Sequence, residues 1–208
     1  MTTKNRPIIF SADSVRAILD GRKTQTRRVM KPQPIGNLQY VGSMWFEKEY
    51  RLHTLERLDY DGTMEKYFSI KCPFGAPGDR LWVREKWGVT VDCETIYFAD
   101  FIPNVHDVSI FRWRSPMFML RKYSRLTLEI TNVRCERVQE ISYDDCLAEG
   151  CPYSRKHEND MTNADKINRI GWYQGQWNEL NAKRGYGWDT NPWVFVIEFK
   201  KIEGGDND

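Results

Sequence analysis

Two segments of this chain leave little choice of architecture. From Arg125 to Val138 (RLTLEITNVRCERV), Leu126, Leu128 and Ile130 alternate with Thr127, Glu129 and Thr131. A period of two gives a strand one apolar face and one polar face. Trp193 to Lys200 (WVFVIEFK) is a dense run of β-branched and aromatic residues, a second strong strand. Two such strands need a sheet around them. The rest of the chain supplies short candidates for it, cut apart by Gly and Pro.

Pro7 to Phe10 reads as a strand, and Ser11 stands where a helix N-cap belongs. Val15, Ile18 and Leu19 follow at helical spacing, and Gly21 closes the helix, so a helix is predicted over Ser11 to Asp20. Gln25 to Met30 predicts another strand, ended by Lys31-Pro32-Gln33-Pro34. Short β-type patches fill 37–71, where Asp61-Gly62 marks a hairpin. Cys72 to Asp79 (CPFGAPGD) must turn, and Arg80 to Thr90 then reads as one half-buried strand. Thr95 to Ala99 is a further short strand. Ser142, with Asp145 three residues on, opens a second helix that Gly150 ends. Arg155 to Arg169 reads as a polar insertion, and Trp172 to Lys183 as a third helix. The tail from Glu203 is expected to fray. Interspersed helices among dominant strands give an α+β class with a mixed barrel or curled sheet.

Composition removes several function classes. Hydrophobic residues make up 40% and charged residues 29%, as in soluble globular chains. No apolar run nears the ~20 residues of a membrane span. Met1 to Arg6 lacks a signal-peptide core, so a cytoplasmic location is expected. Five Cys without a CxxC pair, and three scattered His, argue against both a disulfide framework and a zinc site. No metal or cofactor is expected. Net charge is only +2, but its distribution is uneven. Residues 1–34 hold eight Lys or Arg against two Asp, and residues 112–137 seven against two Glu. Two basic segments meeting in space would attract anions. Eight Trp serve either as core plugs or as platforms for flat ligands.

Chemistry concentrates in Ala17 to Arg28 (AILDGRKTQTRR). An amine beside a hydroxyl is a base beside a nucleophile, provided that the amine sheds its proton. Residues three apart on an ideal strand face opposite ways, so Lys23 and Thr26 share a site only if the chain bends between them. After the Gly78-Asp79 turn, Trp82 and Arg84 share a strand face, with Glu85 and Trp87 close behind. An aromatic beside a guanidinium suits either a core strand with a paired Arg or a base and its phosphate.

GRKTQTRR resembles the signature of ASCH domains, members of the PUA-like barrel superfamily. PGDRLWVRE, SYDDCLAEG and WVFVIEF resemble that family's Gly-Asp turn and strand, its post-strand helix and its closing strand, in the same order. The RPIIFS start and the NPWV segment are similar to phage and prophage ASCH-like proteins. The resemblance implies one PUA-like domain over 1–202, with insertions near 36–71, 91–116 and 152–169. It also implies a ligand that is RNA or a modified nucleoside. Small members with this signature hydrolyse the amide of N4-acetylcytidine with a Lys, a Thr three residues on and a distant Glu. Those roles fall here on Lys23, Thr26 and Glu149. Arg22, Thr24, Arg27, Arg28, Trp82, Arg84, Glu85 and Trp87 are the expected ligand contacts. Three alternatives stand beside amide hydrolysis: a non-catalytic RNA-binding module in which Arg22, Lys23, Arg27 and Arg28 hold phosphate, a ribonuclease using the same Lys and hydroxyl residues, and a phage accessory protein that acts by binding a host factor.

Overall fold

The computed structural model describes residues 3–34, 39–46, 50–58, 64–90, 93–101, 112–153 and 162–202; for 39–46, 50–58 and 64–69 it describes the backbone alone. Five strands form the main sheet: β1 (Asn5–Ile9), β2 (Gln25–Val29), β6 (Arg80–Arg84), β9 (Thr127–Arg137) and β10 (Trp193–Ile202). Their order is β1-β6-β9-β10-β2. The β1–β6 pair is parallel and the others are antiparallel. The two segments with the strongest β pattern thus sit centrally and pair along ten positions of β10.

The sheet is covered on both faces. Helix α1 (Ala12–Leu19) packs Val15 and Ile18 with Ile8, Phe195 and Ile197 on one side. Helices α2 (Tyr143–Ala148) and α3 (Asn163–Asn181) pack Cys146, Tyr173 and Trp177 with Val194 and Val196 on the other. Alternation along β10 assigns these two sets to opposite faces.

The expected barrel does not close among the described residues. β1 and β2 are the two edges of the sheet. Where a ladder would join them, the Arg28 Nη2 donates to the Ile9 carbonyl at 2.7 Å. A long side chain spans a gap wider than the ~4.8 Å between paired strands, so the edges stay apart.

Strands β3 (Gln39–Phe46), β4 (Tyr50–Leu58) and β5 (Met64–Lys71) form a three-stranded antiparallel sheet. The β4–β5 pairing brackets Asp61-Gly62 as that pair predicts, though the turn itself lies outside the described residues. Arg80 to Thr90 is not one strand. It breaks at Glu85-Lys86, and β7 (Trp87–Val89) pairs with β8 (Thr95–Tyr97) in a separate ribbon. The cause is Glu85, whose carboxylate turns inward to take two bonds from Arg125 at 2.9 and 3.1 Å. Helix α3 starts nine residues before Trp172, within the segment read as an insertion. Thr162 caps it, and its side chain and that of Asp165 bond each other's backbone N–H. No described helix is long and apolar enough to cross a membrane.

Candidate functional site

The Ser11 hydroxyl caps α1, and Gly21, at φ +69°, turns the chain out of it. Glycine adopts that conformation without a Cβ penalty. The following residues are pinned before β2 begins. Lys23 N–H donates to the Ala17 carbonyl at 2.9 Å, and Thr24 N–H to the Ala148 carbonyl at 2.8 Å. Phe199 N–H donates to the Thr24 carbonyl at 2.8 Å, which extends the β10 pairing past Gln25.

The opposite wall comes from α2. Glu149 is its C-cap, and Gly150 follows at φ +97°. A Cβ on Gly150 would lie 3.0 Å from the Ala17 Cβ and 3.3 Å from the Lys23 Cβ. Position 150 therefore requires glycine twice, for its backbone angle and for close approach. That approach sets Lys23 Nζ 2.5 Å from Glu149 Oε2 and 2.8 Å from the Glu149 carbonyl.

Glu149 also reaches the other face of the sheet, where its Oε1 accepts from Arg27 Nη1 at 3.3 Å. Arg27 donates further to Glu136 and Asp145 at 2.6 to 2.9 Å. Arg134 joins from β9 and bonds Glu136, Asp145 and Glu198. The register explains the cluster: Arg27, Val196 and Arg134 lie in one row across β2, β10 and β9.

Thr26 and Arg28 alternate with Arg27 and so face α1. Phe10 neighbours Arg28 and Lys23, with the Arg28 guanidinium carbon 5.1 Å and the Lys23 Nζ 5.9 Å from its ring. The Lys23 amine bonds Glu149 alone, and no hydrogen bond joins it to the Thr26 hydroxyl among the described residues. Lys23 and Thr26 are each 5% exposed, and Glu149 is 7%.

Burial holds the Lys23 amine below its ordinary pKa, and it outweighs the opposing pull of Glu149; Arg28 and Arg27 add to the depression. Burial acts to lower Arg27 too, but Glu149, Tyr173, Glu136 and Asp145 together hold it above the ordinary guanidinium value. Burial lowers Arg28. Its Nε is enclosed and meets no acceptor among the described residues.

The Lys23 shift has a stability consequence. A lowered pKa in the folded state means that the unfolded chain binds more protons between the folded value and 10.5. Stability contributed by position 23 should therefore rise with pH through that window. Denaturant midpoints of wild type should climb relative to those of Lys23→Met as pH approaches 10.5; parallel curves would refute the shift.

Several of the remaining expected contacts are engaged by other protein groups. Arg27 is wholly buried and committed to carboxylates, so it offers nothing to a phosphate. Glu85 is held by Arg125. Trp87 is 1% exposed, stacked on Tyr123 at 4.6 Å, with Arg114 5.1 Å from its ring. It is a core residue in this conformation, because no ring face is left for a base. Trp82 is likewise buried, under the Arg84 guanidinium at 4.6 Å. Arg22 bonds Asp20 and the Gly150 carbonyl, and Thr24 is exposed. Burial pushes the Cys146 thiol up to about 12 and raises that of Cys151, as suits inert thiols.

Glu136, Asp145, Arg134 and Phe10 belong to the site but were not expected. The signal for Arg134 and Glu136 was their shared parity on the long strand, which places both on one face.

The assembly is a mixed α+β fold with a buried Lys–Glu pair at the start of an edge strand. No protein-family model matches the chain, and no curated protein matches it. Two solved structures resemble it in outline. One is a DUF984 protein from Enterococcus faecalis V583, with 10% identity and a TM-score of 0.41, covering 100% of this chain and 86% of that one. The other is an ASCH domain from Lactobacillus crispatus, with 13% identity and a TM-score of 0.36, covering 95% and 79%. Likeness at that level assigns neither an activity nor a residue role.

Proposed function

We propose that this chain is an ASCH-type protein that binds a nucleoside and hydrolyses the amide of an N4-acylated cytosine or similar base. One observation carries the reading: the Lys23 amine, 2.5 Å from Glu149, is buried where desolvation lowers its pKa, three residues before the equally buried Thr26. A neutral amine is a base, and a carboxylate that holds it fixes its aim.

In the reaction, Lys23 takes the proton of Thr26 as the hydroxyl oxygen attacks the acyl carbon. The C–N bond then breaks, and Lys23 returns the proton to the leaving amine of the base. Water hydrolyses the Thr26 ester by the same route. The Arg28 Nε, with no acceptor among the described residues, is the donor available to the oxyanion. Glu149 orients Lys23 and keeps its charge balance while the proton moves.

Lys23, Thr26 and Glu149 are all buried. A phosphate backbone cannot reach Lys23 and Arg27 where they lie, which weighs against the reading in which these cations grip RNA directly.

The test is hydrolysis of N4-acetylcytidine, followed as release of cytidine. Lys23→Met should lower kcat by at least about a thousandfold, as loss of a base coupled to its nucleophile does, while the protein stays folded. Undiminished turnover in that variant would remove Lys23 from the chemistry.

A further inference from the structure

Residues 116–122 present a surface that the reaction does not use. Met117, Phe118 and Leu120 are 63%, 72% and 57% exposed, whereas Met119 between them is fully buried. Large apolar side chains clustered in water mark a contact site more often than chance. This loop is built to display them. Met119 anchors it in the protein, Ser115 caps the turn at Met117 N–H, and Arg84 Nη1 donates to the Met117 carbonyl at 3.2 Å. A fixed loop loses little entropy on binding.

The surroundings are cationic. Residues 112–125 hold five Lys or Arg and no Asp or Glu. Arg125 is neutralised by Glu85 and Asp100. Arg112, Arg114, Arg121 and Lys122 are exposed and make no ion pair with described residues. The complement of an exposed aromatic ring among four cations is a flexible polyanion with flat faces.

The patch also connects to the candidate site. Arg84 links Met117 to β6, and its own carbonyl accepts from Phe10 N–H at 3.1 Å. The Phe10 ring is the one that Lys23 and Arg28 flank. Ile9, exposed at the same strand end, takes the Arg28 bond. The loop and the site thus lie at one end of the sheet.

We propose that residues 112–122 dock single-stranded RNA or DNA, with Phe118 stacking on a base and Arg114, Arg121 and Lys122 meeting phosphates. The inference rests on the nucleoside reading for its substrate: it makes the modified base part of a strand whose neighbouring nucleotides bind this loop. Duplex nucleic acid, whose bases are already stacked, binds less well.

The experiment uses the full chain and a fluorescein-labelled oligouridylate, read by anisotropy against salt. Phe118→Ala should weaken binding about tenfold, the loss of one base–aromatic stack. Arg121→Glu with Lys122→Glu should lower the salt slope by about 0.7 per lost phosphate contact. Lys23→Met should bind as wild type, and Phe118→Ala should still hydrolyse free N4-acetylcytidine. These last two results separate a failure of the docking surface from a failure of the chemistry. An unchanged affinity in both patch variants would overturn the proposal. So would binding of the patch to phosphatidylserine vesicles with no affinity for the oligouridylate. Phe118 is largely in water, so the variant's fold is checked simply by an unshifted thermal midpoint.

Discussion

Arg27→Met should destabilise the protein by about 3–5 kcal/mol, the cost of removing one partner from a buried ionic group. The Arg27 side chain has no exposure, and three carboxylates converge on it. Methionine keeps the volume and the packing of the stem but leaves Glu149, Glu136 and Asp145 without their shared cation. Arg134 still serves Glu136 and Asp145, so the largest uncompensated group is Glu149, which then leans on Lys23 alone. Part of the loss should return when Glu149→Gln is combined with it, because the amide carries no charge to leave unpaired. Asp145 adds a pH signature. Burial acts to raise it, but Arg27 and Arg134 hold it below its ordinary value. The stability it contributes is present above the unfolded value of 3.8 and is lost as pH falls through the folded one. Urea midpoints measure all of this; a loss under about 1 kcal/mol for Arg27→Met would show that the cluster is not held as described.

Thr26→Val should abolish hydrolysis while sparing the fold. Valine matches threonine in shape and β preference, and Thr26 pairs opposite Ile197 in a strand row that valine suits. The single change is the loss of the hydroxyl. If that oxygen is the nucleophile, turnover of N4-acetylcytidine falls by at least about a thousandfold, and binding of cytidine persists. A merely packed threonine would give a variant of undiminished activity.

Much of the frame was legible in the chain because local chemistry decides it. The alternation in 125–138 and the run at 193–200 gave the two central strands. Ser11 with Gly21, and Ser142 with Gly150, gave the ends of α1 and α2. The proximity of Lys23 to Glu149 was expected only from a family resemblance, since 126 positions separate them in the chain. Its physical cause, the double need for glycine at position 150, involves the Cβ of Ala17 and is invisible without the fold. The open sheet was not legible, because closure depends on how far apart β1 and β2 are held, which no periodicity encodes. The burial of Glu85 and Trp87 was hidden for a related reason. Alternation says which residues share a face, but the partners that cover these two, Arg125 and Tyr123, come from elsewhere in the chain. Trp82 differs, because Arg84, which covers it, is its neighbour on the same strand face. Thr162 and Asp165 did carry a readable capping pattern for the true start of α3, masked by the polar run before it.

The central claim is that an amine at position 23 activates the hydroxyl at position 26 against an acylated base. Its most direct measurement is intact mass, followed by peptide mapping, of protein quenched during turnover of N4-acetylcytidine. The account predicts an acetyl group on the peptide containing Thr26 in the wild type, and none in Thr26→Val. Release of cytidine at an unchanged rate by Thr26→Val would contradict it.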